Sequence, residues 1–418
     1  MNMDVVVQRQ LDNISSGNGV YLEMFLQAAA RANARVRLVF APWRSFGNRP
    51  WARLHPRFAA LCDDVMWPGT VRIGEHYWSL SPKVWGRFGV RLVKALAQKI
   101  GLTPKIYSFL GDPLESAEAR IVARACATGN GKLTVAEYSS LAPVLKLLNH
   151  DTSKGVLVHD LFSDRAARFR SNGLEPDFLE ISRDVEVDWM SAADLCFYAS
   201  ANEMTSLGRQ LPNSRGVWLR PSPRPCSVNP MSGAPRIVFL GTQHAGNLDA
   251  LRHFLQDIWP RVTARNADVE FWIAGSIGRD VEQETRRDER VRVLGRVEDL
   301  GTLGGPDSLG VAPTRLATGV SIKVAEYLML GMPTVVYPLA LEGFGDALTD
   351  LVEVGTTEEE FATCLIKLLD NSALRSQLSA GSAGAVEQRL SNDEVVACIG
   401  QELTERTQEY VPDTGSIS

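Results

Sequence analysis

The segment Val311-Ala-Pro-Thr-Arg-Leu-Ala-Thr-Gly-Val-Ser-Ile-Lys-Val-Ala-Glu-Tyr-Leu-Met-Leu-Gly-Met-Pro-Thr-Val-Val-Tyr-Pro338 decides how the rest of the chain is read. A short apolar strand closes at Ala312, a glycine-containing loop follows, an amphipathic run leads to Gly331, and a second apolar strand begins at Pro333. That order is the repeating unit of a parallel α/β sheet. Gly319 permits a tight turn, and Ser321 is placed to cap the helix that follows. The helix start offers unpaired N–H groups and a positive dipole end to an anion. Lys323 falls in the first turn, a poor place for a cation unless something negative lies opposite. Glu326, three residues on, shares its face. A phosphate-binding turn with a carboxylate one helical turn deeper suits a nucleotide sugar. The diphosphate meets the turn and Lys323, and the ribose diol meets Glu326. Gly331 and Pro333 then stop the helix.

Outward from this segment, both halves alternate short apolar strands with longer amphipathic segments. The first half reads as strands at Met3–Val7, Arg37–Ala41, Leu133–Ala136, Gly155–Val158 and Leu195–Ala199. The second reads as strands at Arg236–Leu240, Val269–Ala274, Val291–Leu294, Ser308–Ala312 and Pro333–Tyr337. Between them, residues 220–235 hold five prolines and no periodicity, the composition of a linker. The expected fold is α/β, two Rossmann-like domains facing a central cleft, with ligands at the carboxyl ends of the strands. Residues 1–225 form the acceptor-binding domain, 226–390 the donor-binding domain, and 391–418 a helix crossing back to the first domain plus a tail.

Several runs resemble family-4 GT-B glycosyltransferases of the group 1 type, in the family's order along the chain. Residues 318–336 followed by Glu342-Gly343-Phe344 look like the donor-site signature. Phe239-Leu-Gly-Thr-Gln-His-Ala-Gly-Asn-Leu-Asp-Ala-Leu with Ile258-Trp-Pro resembles the opening of the donor domain. Val158-His-Asp-Leu-Phe-Ser-Asp-Arg resembles an acceptor-domain segment, and Glu186–Asp194 with Glu203 the run toward the hinge. The resemblance implies that Glu326 binds the ribose and that His159, with Asp160 beside it at a strand end, approaches the transferred sugar. It implies retaining transfer of a sugar from a nucleotide diphosphate to a glycan or lipid-linked acceptor, with no metal and no cofactor. Many members carry a glutamate eight positions before Glu326, where this chain has Thr318. The usual Arg and Lys pair after the first donor-domain strand is replaced by Gly241-Thr242-Gln-His244-Ala-Gly-Asn. Lys323 with Arg315 is then left to neutralise the diphosphate, and Val320 joins the donor loop.

On the acceptor side, Ser15-Ser-Gly17-Asn18-Gly19 is expected as a loop before a helix from Tyr21, with backbone N–H groups facing a phosphate. Glu137-Tyr138 ends the preceding strand and is a second candidate pair. An inverting enzyme would need a carboxylate base, with Asp160 or Glu137 first in line. A nucleotide-sugar epimerase and a degenerate binding or assembly protein are the competing readings, the latter favoured by Thr318 and the missing cationic pair.

Composition bounds the rest. The chain has 418 residues, 45% hydrophobic and 22% charged, which excludes disordered and fibrous classes. Six scattered cysteines and an opening without a basic, apolar leader predict reduced thiols and a cytoplasmic chain. The net charge of −5 conceals fourteen Lys or Arg against three acids between Arg31 and Lys105. Trp43, Trp51, Trp67, Trp78 and Trp85 fall in the same stretch. Lys83, Arg87, Arg91 and Lys94 along one face of a helix over 83–100, opposite Trp85, Phe88, Leu92, Leu96 and Ile100, predict docking on an anionic membrane through residues 43–105. No nucleic-acid-binding motif accompanies these charges.

Overall fold

The computed structural model describes residues 2–12, 17–47, 49–99, 111–171, 180–224, 227–229, 233–286, 288–316 and 320–408. The chain divides into two compact units. The first holds Met1–Ala199, Glu203–Leu219 and Asn392–Ser418; the second holds Ser200–Asn202 and Arg220–Ser391.

In the first unit, β1 (Asn2–Val7), β2 (Arg35–Phe40), β4 (Asp64–Met66), β7 (Leu133–Glu137), β8 (Ser153–Val158), β9 (Leu195–Tyr198) and β10 (Arg215–Trp218) form one parallel sheet in the order β10-β9-β8-β7-β1-β2-β4. A parallel sheet is covered on both faces, so its strands are apolar without alternation. Val5, Val6, Val39, Val135 and Val156 are accordingly all fully buried. The Gly17–Arg31 helix covers one face through Phe25, whose ring centroid lies 4.9 Å from that of Phe197. Val122 of the Ser116–Ala127 helix packs with Val6 and Val156 on the other. The Asp393–Gln408 helix also belongs here: Ser153 donates to Glu402 at 2.7 Å and Arg215 to Gln401 at 3.1 Å.

The tryptophan-rich stretch folds into a second, antiparallel sheet of β3 (Trp51–Arg53), β5 (Thr70–Ile73) and β6 (His76–Ser79), ordered β3-β6-β5. It is followed by a helix over Pro82–Lys99, formed in spite of Gly86 and Gly89. Strands of three and four residues mixing Trp, Arg and His show no clean alternation, so this sheet has no periodic signal in the sequence. The tryptophans are not displayed together at a membrane interface, contrary to what their spacing predicts. Instead Trp67 stacks on Phe40 at 4.1 Å and is buried, Trp51 packs on Trp78 at 5.4 Å, and Trp85 is the one exposed member of the five.

The second unit carries β11 (Arg236–Leu240), β12 (Glu270–Ala274), β13 (Val291–Gly295), β14 (Ser308–Ala312), β15 (Thr334–Val336) and β16 (Glu353–Val354), parallel in the order β13-β12-β11-β14-β15-β16. Phe239, Phe271 and Ile273 face Phe254, Trp259 and Phe361, while Val238, Leu240 and Trp272 face Tyr327, Leu330 and Met332. Each unit is thus a doubly covered, Rossmann-like sheet. No helix among the described residues is long and apolar enough to cross a membrane.

Candidate active site

In the second unit the chain lays β12 and β13 to one side of β11, then returns to β14 on the other. The strand order reverses between β11 and β14, and open α/β sheets bind ligands outside the carboxyl ends of strands at such a reversal. The Gly241 loop leaves β11 at this point, and the Lys323–Met329 helix follows β14. Tyr327 fastens that helix across the reversal: its hydroxyl accepts from the Leu240 amide at 2.7 Å and donates to the Val311 carbonyl at 3.1 Å. Only glycine fits at 310, where an added Cβ would stand 2.4 Å from Cγ of Tyr327. Gly331, at φ +66, closes the helix in a Schellman arrangement, with the Met332 amide on the Tyr327 carbonyl and the Gly331 amide on that of Leu328.

Lys323 and Glu326 are both half-buried on this helix. The Lys323 ammonium donates to Asn247 Oδ1 at 2.6 Å and stands 4.4 Å from the centre of the Phe239 ring. Asn247 in turn donates to the Thr242 carbonyl at 3.0 Å, so the residue between lysine and loop is neutral. Burial pushes the Lys323 pKa down to about 8, against the support of Glu326, and the same burial raises Glu326 while Lys323 resists. Two under-solvated groups of opposite sign, with no stronger partner among the described residues, are poised for a ligand that offers anionic oxygens and hydroxyls.

Other residues of the expected donor site have structural partners. His244 caps the Ala245–His253 helix, its Nδ1 accepting from the Gly246 amide at 3.2 Å. Arg315 was expected on the diphosphate, yet its guanidinium is forked onto Asp249 at 2.7 and 3.2 Å, which raises its pKa. Ser321 does not cap the helix with its side chain. Ile322 is already right-handed, and backbone carbonyls take the first bonds: the Ile322 amide on Val320 and the Val324 amide on Ser321. Gly241 is half-buried and Thr242 exposed; Val320 and Ser321 are half-buried. Thr318 and Gly319 lie outside the described residues.

The first sheet has its own reversal, between β1 and β7. Arg9 leaves β1 there and meets Glu137, the last residue of β7, at 3.0 Å. His159 follows β8, its Nε2 3.3 Å from the same Glu137 oxygen. Burial opposes the Glu137 charge, but Arg9 and His159 outweigh it and hold the carboxyl below its usual range. Tyr138 adopts φ 74°, ψ 151°, a conformation costing about 1–3 kcal/mol in a non-glycine residue. That backbone lays its ring 4.3 Å from His159. Among the described residues Glu137 Oε2, the Tyr138 hydroxyl and both His159 ring nitrogens are buried without hydrogen-bond partners. Asp160 accepts from Arg165 at 3.1 Å. Gly17, Asn18 and Gly19 are not a loop: they form the first turn of the Gly17–Arg31 helix, which starts four residues before the expected Tyr21. Ser15 and Ser16 lie outside the described residues. Glu186 is a structural acid, receiving the Phe162 and Ser163 amides at 3.0 and 2.9 Å. Arg9 and Asn247 were not singled out from sequence; the signal that finds Arg9 is its place just past the carboxyl end of the first strand.

Residues 234–371 match the family described as Glycosyl transferases group 1. The second unit carries a group 1 glycosyltransferase domain. No curated protein sequence matches the chain. Among solved structures, sucrose-phosphate synthase from Thermosynechococcus elongatus superposes with a TM-score of 0.57 at 12% identity, over 98% of this chain and 99% of that one. A glycosyltransferase from Rickettsia africae gives 0.60 at 10% identity, over 97% and 99%. Anabaena HepE, in complex with UDP and glucose, gives 0.52 at 12% identity, over 98% and 99%. Identities this low speak for the fold alone, which is GT-B along the whole chain. The glycosyltransferase assignment rests on the group 1 match in the second unit, which encloses Asn247, Lys323 and Glu326.

Proposed function

We propose that this glycosyltransferase moves a sugar from a nucleoside diphosphate donor to a glycan or lipid-linked acceptor, with retention of anomeric configuration and without a metal. The observation that carries the donor assignment is Lys323: a half-buried ammonium whose hydrogen-bond partner among the described residues is neutral Asn247, its pKa pushed down to about 8, one helical turn before Glu326. A diphosphate would restore the charge that burial opposes, and the ribose diol would donate to Glu326. In transfer, the bond from the sugar's anomeric carbon to the diphosphate breaks. The incoming hydroxyl bonds on the same face, and its proton passes to the leaving phosphate. The chief task of the protein is then to stabilise charge on the leaving group and to align the acceptor. Lys323 serves the first. In the first unit, Arg9 and Glu137 act as positioning residues for His159, the histidine for which the resemblance implies a role toward the sugar. HepE was captured with UDP, which makes UDP the first nucleotide to test here.

Calorimetry with UDP, GDP and dTDP tests the donor site directly. Binding of one of them, weakened in Glu326→Ala, is the expected result; no binding at millimolar concentration would leave a scaffold protein instead. The anomer formed, read by NMR, separates retention from inversion.

A further inference from the structure

Seven of the thirteen large apolar side chains exposed among the described residues lie between Val71 and Val93, so the exposed apolar surface is concentrated in one excursion of the first unit. Strand pairing shows how they are arranged. Antiparallel partners share a face of the sheet. Trp51 pairs with Trp78, Val71 with Trp78 and Ile73 with His76, so these five side chains lie on one face, and Leu80 continues it two residues beyond Trp78. The opposite face belongs to Ala52 and Tyr77, and Tyr77 lies 5.3 Å from buried Trp67, which marks it as the inner one. The Pro82–Lys99 helix packs on the outer face: Phe88 meets Trp51 edge-on at 5.5 Å and Trp85 donates to the Ser79 carbonyl at 2.9 Å. Val71, Ile73 and Leu80 therefore share the outer layer with Val90, Leu92 and Val93 of the helix, and all six are exposed, Val93 at 69% and Leu80 at 66%.

The charge of the same layer selects its partner. Arg53 is exposed on the outer face, and the described side chains of the helix include Arg87, Arg91 and Lys83, the last ion-paired with Glu115, and no acid. A second copy of the chain would set these cations against one another. An exposed apolar layer of this kind marks an interaction surface, and cations around aliphatic groups suit anionic headgroups over acyl chains. We infer that the outer face of the β3-β6-β5 sheet and the Pro82–Lys99 helix together rest on an anionic lipid bilayer, with Ile73, Leu80 and Val93 entering the headgroup boundary. The aliphatic layer enters, not the tryptophans, most of which are spent on internal packing.

Flotation of the full chain with phosphatidylcholine vesicles, with and without phosphatidylglycerol, tests this. Binding is expected only with phosphatidylglycerol and falls as salt screens the charges. The triple variant I73S/L80S/V93S should lose at least tenfold in vesicle affinity with an unchanged thermal midpoint. R53Q/R91Q, which leaves the apolar groups in place, should lose more than tenfold, at about fivefold per cation near the surface. Equal flotation with both vesicles, no flotation with either, or binding untouched by the triple variant would overturn the inference. So would a concentration-dependent dimer in sedimentation that the triple variant abolishes. The readout uses neither donor nor turnover, so its failure leaves the sugar-transfer reading standing.

Discussion

At the residue scale, Lys323 carries the sharpest expectations. Lys323→Ala should lower the catalytic rate by about 10²–10³, the scale for removing one preorganised donor to a developing anion; near-normal turnover would remove it from the leaving-group site. Glu326→Ala should act on binding instead, costing roughly 1.5–3 kcal/mol of donor affinity for a charged hydrogen bond, measured by titration calorimetry. The pH dependence follows from the ammonium, whose pKa of about 8 lies below the ordinary 10.5. A bound diphosphate needs the protonated form, so nucleotide affinity should be highest below about 8 and fall as pH rises through it. Lys323→Arg keeps its charge throughout and should flatten that profile. In the unliganded protein the sign is opposite: the unfolded chain holds the extra proton between about 8 and 10.5, so stability rises with pH across that window.

At the element scale, a buried ion pair joins the carboxyl ends of β1 and β7, with His159 at the end of β8 beside it. Arg9→Gln would strand the Glu137 carboxylate, whose side chain has no exposure, and should cost about 3–5 kcal/mol in denaturant unfolding of the first unit. The double variant R9Q/E137Q should recover much of that loss; if it does not, the two act independently. The central strands could be read from sequence because parallel strands covered on both sides are unbroken apolar runs, as in Val5-Val-Val and Phe239-Leu. The Lys323 helix and its glycine stop were readable for a related reason, since helical periodicity and a terminal glycine are local signals, although Ser321 does not supply the expected cap. Arg9 was not, because its partner lies 128 residues away and no spacing rule reaches that far. The Gly17–Arg31 helix began earlier than expected because two glycines in a first turn look like a loop. β4, β10 and β16 escaped notice as edge or near-edge strands of two to four residues with mixed composition.

For the molecule as a whole, the units differ in how the chain builds them. The second is assembled almost entirely from one uninterrupted stretch, 220–391, while the first needs segments from both ends of the described chain. Val395, Cys398, Ile399 and Leu403 of the last helix are buried in it. Truncation after residue 391 should therefore uncover apolar surface on the first unit and speed amide exchange in the Gly17–Arg31 helix, leaving exchange in β11, β12 and β14 unchanged. Unchanged protection of the Gly17–Arg31 helix after truncation would show that the last helix contributes nothing to it. The same bracketing dictates an order during synthesis. The second unit can close as soon as its own residues have left the ribosome, whereas the unit begun first must wait, open along one flank, until the Asp393–Gln408 helix emerges to seal it.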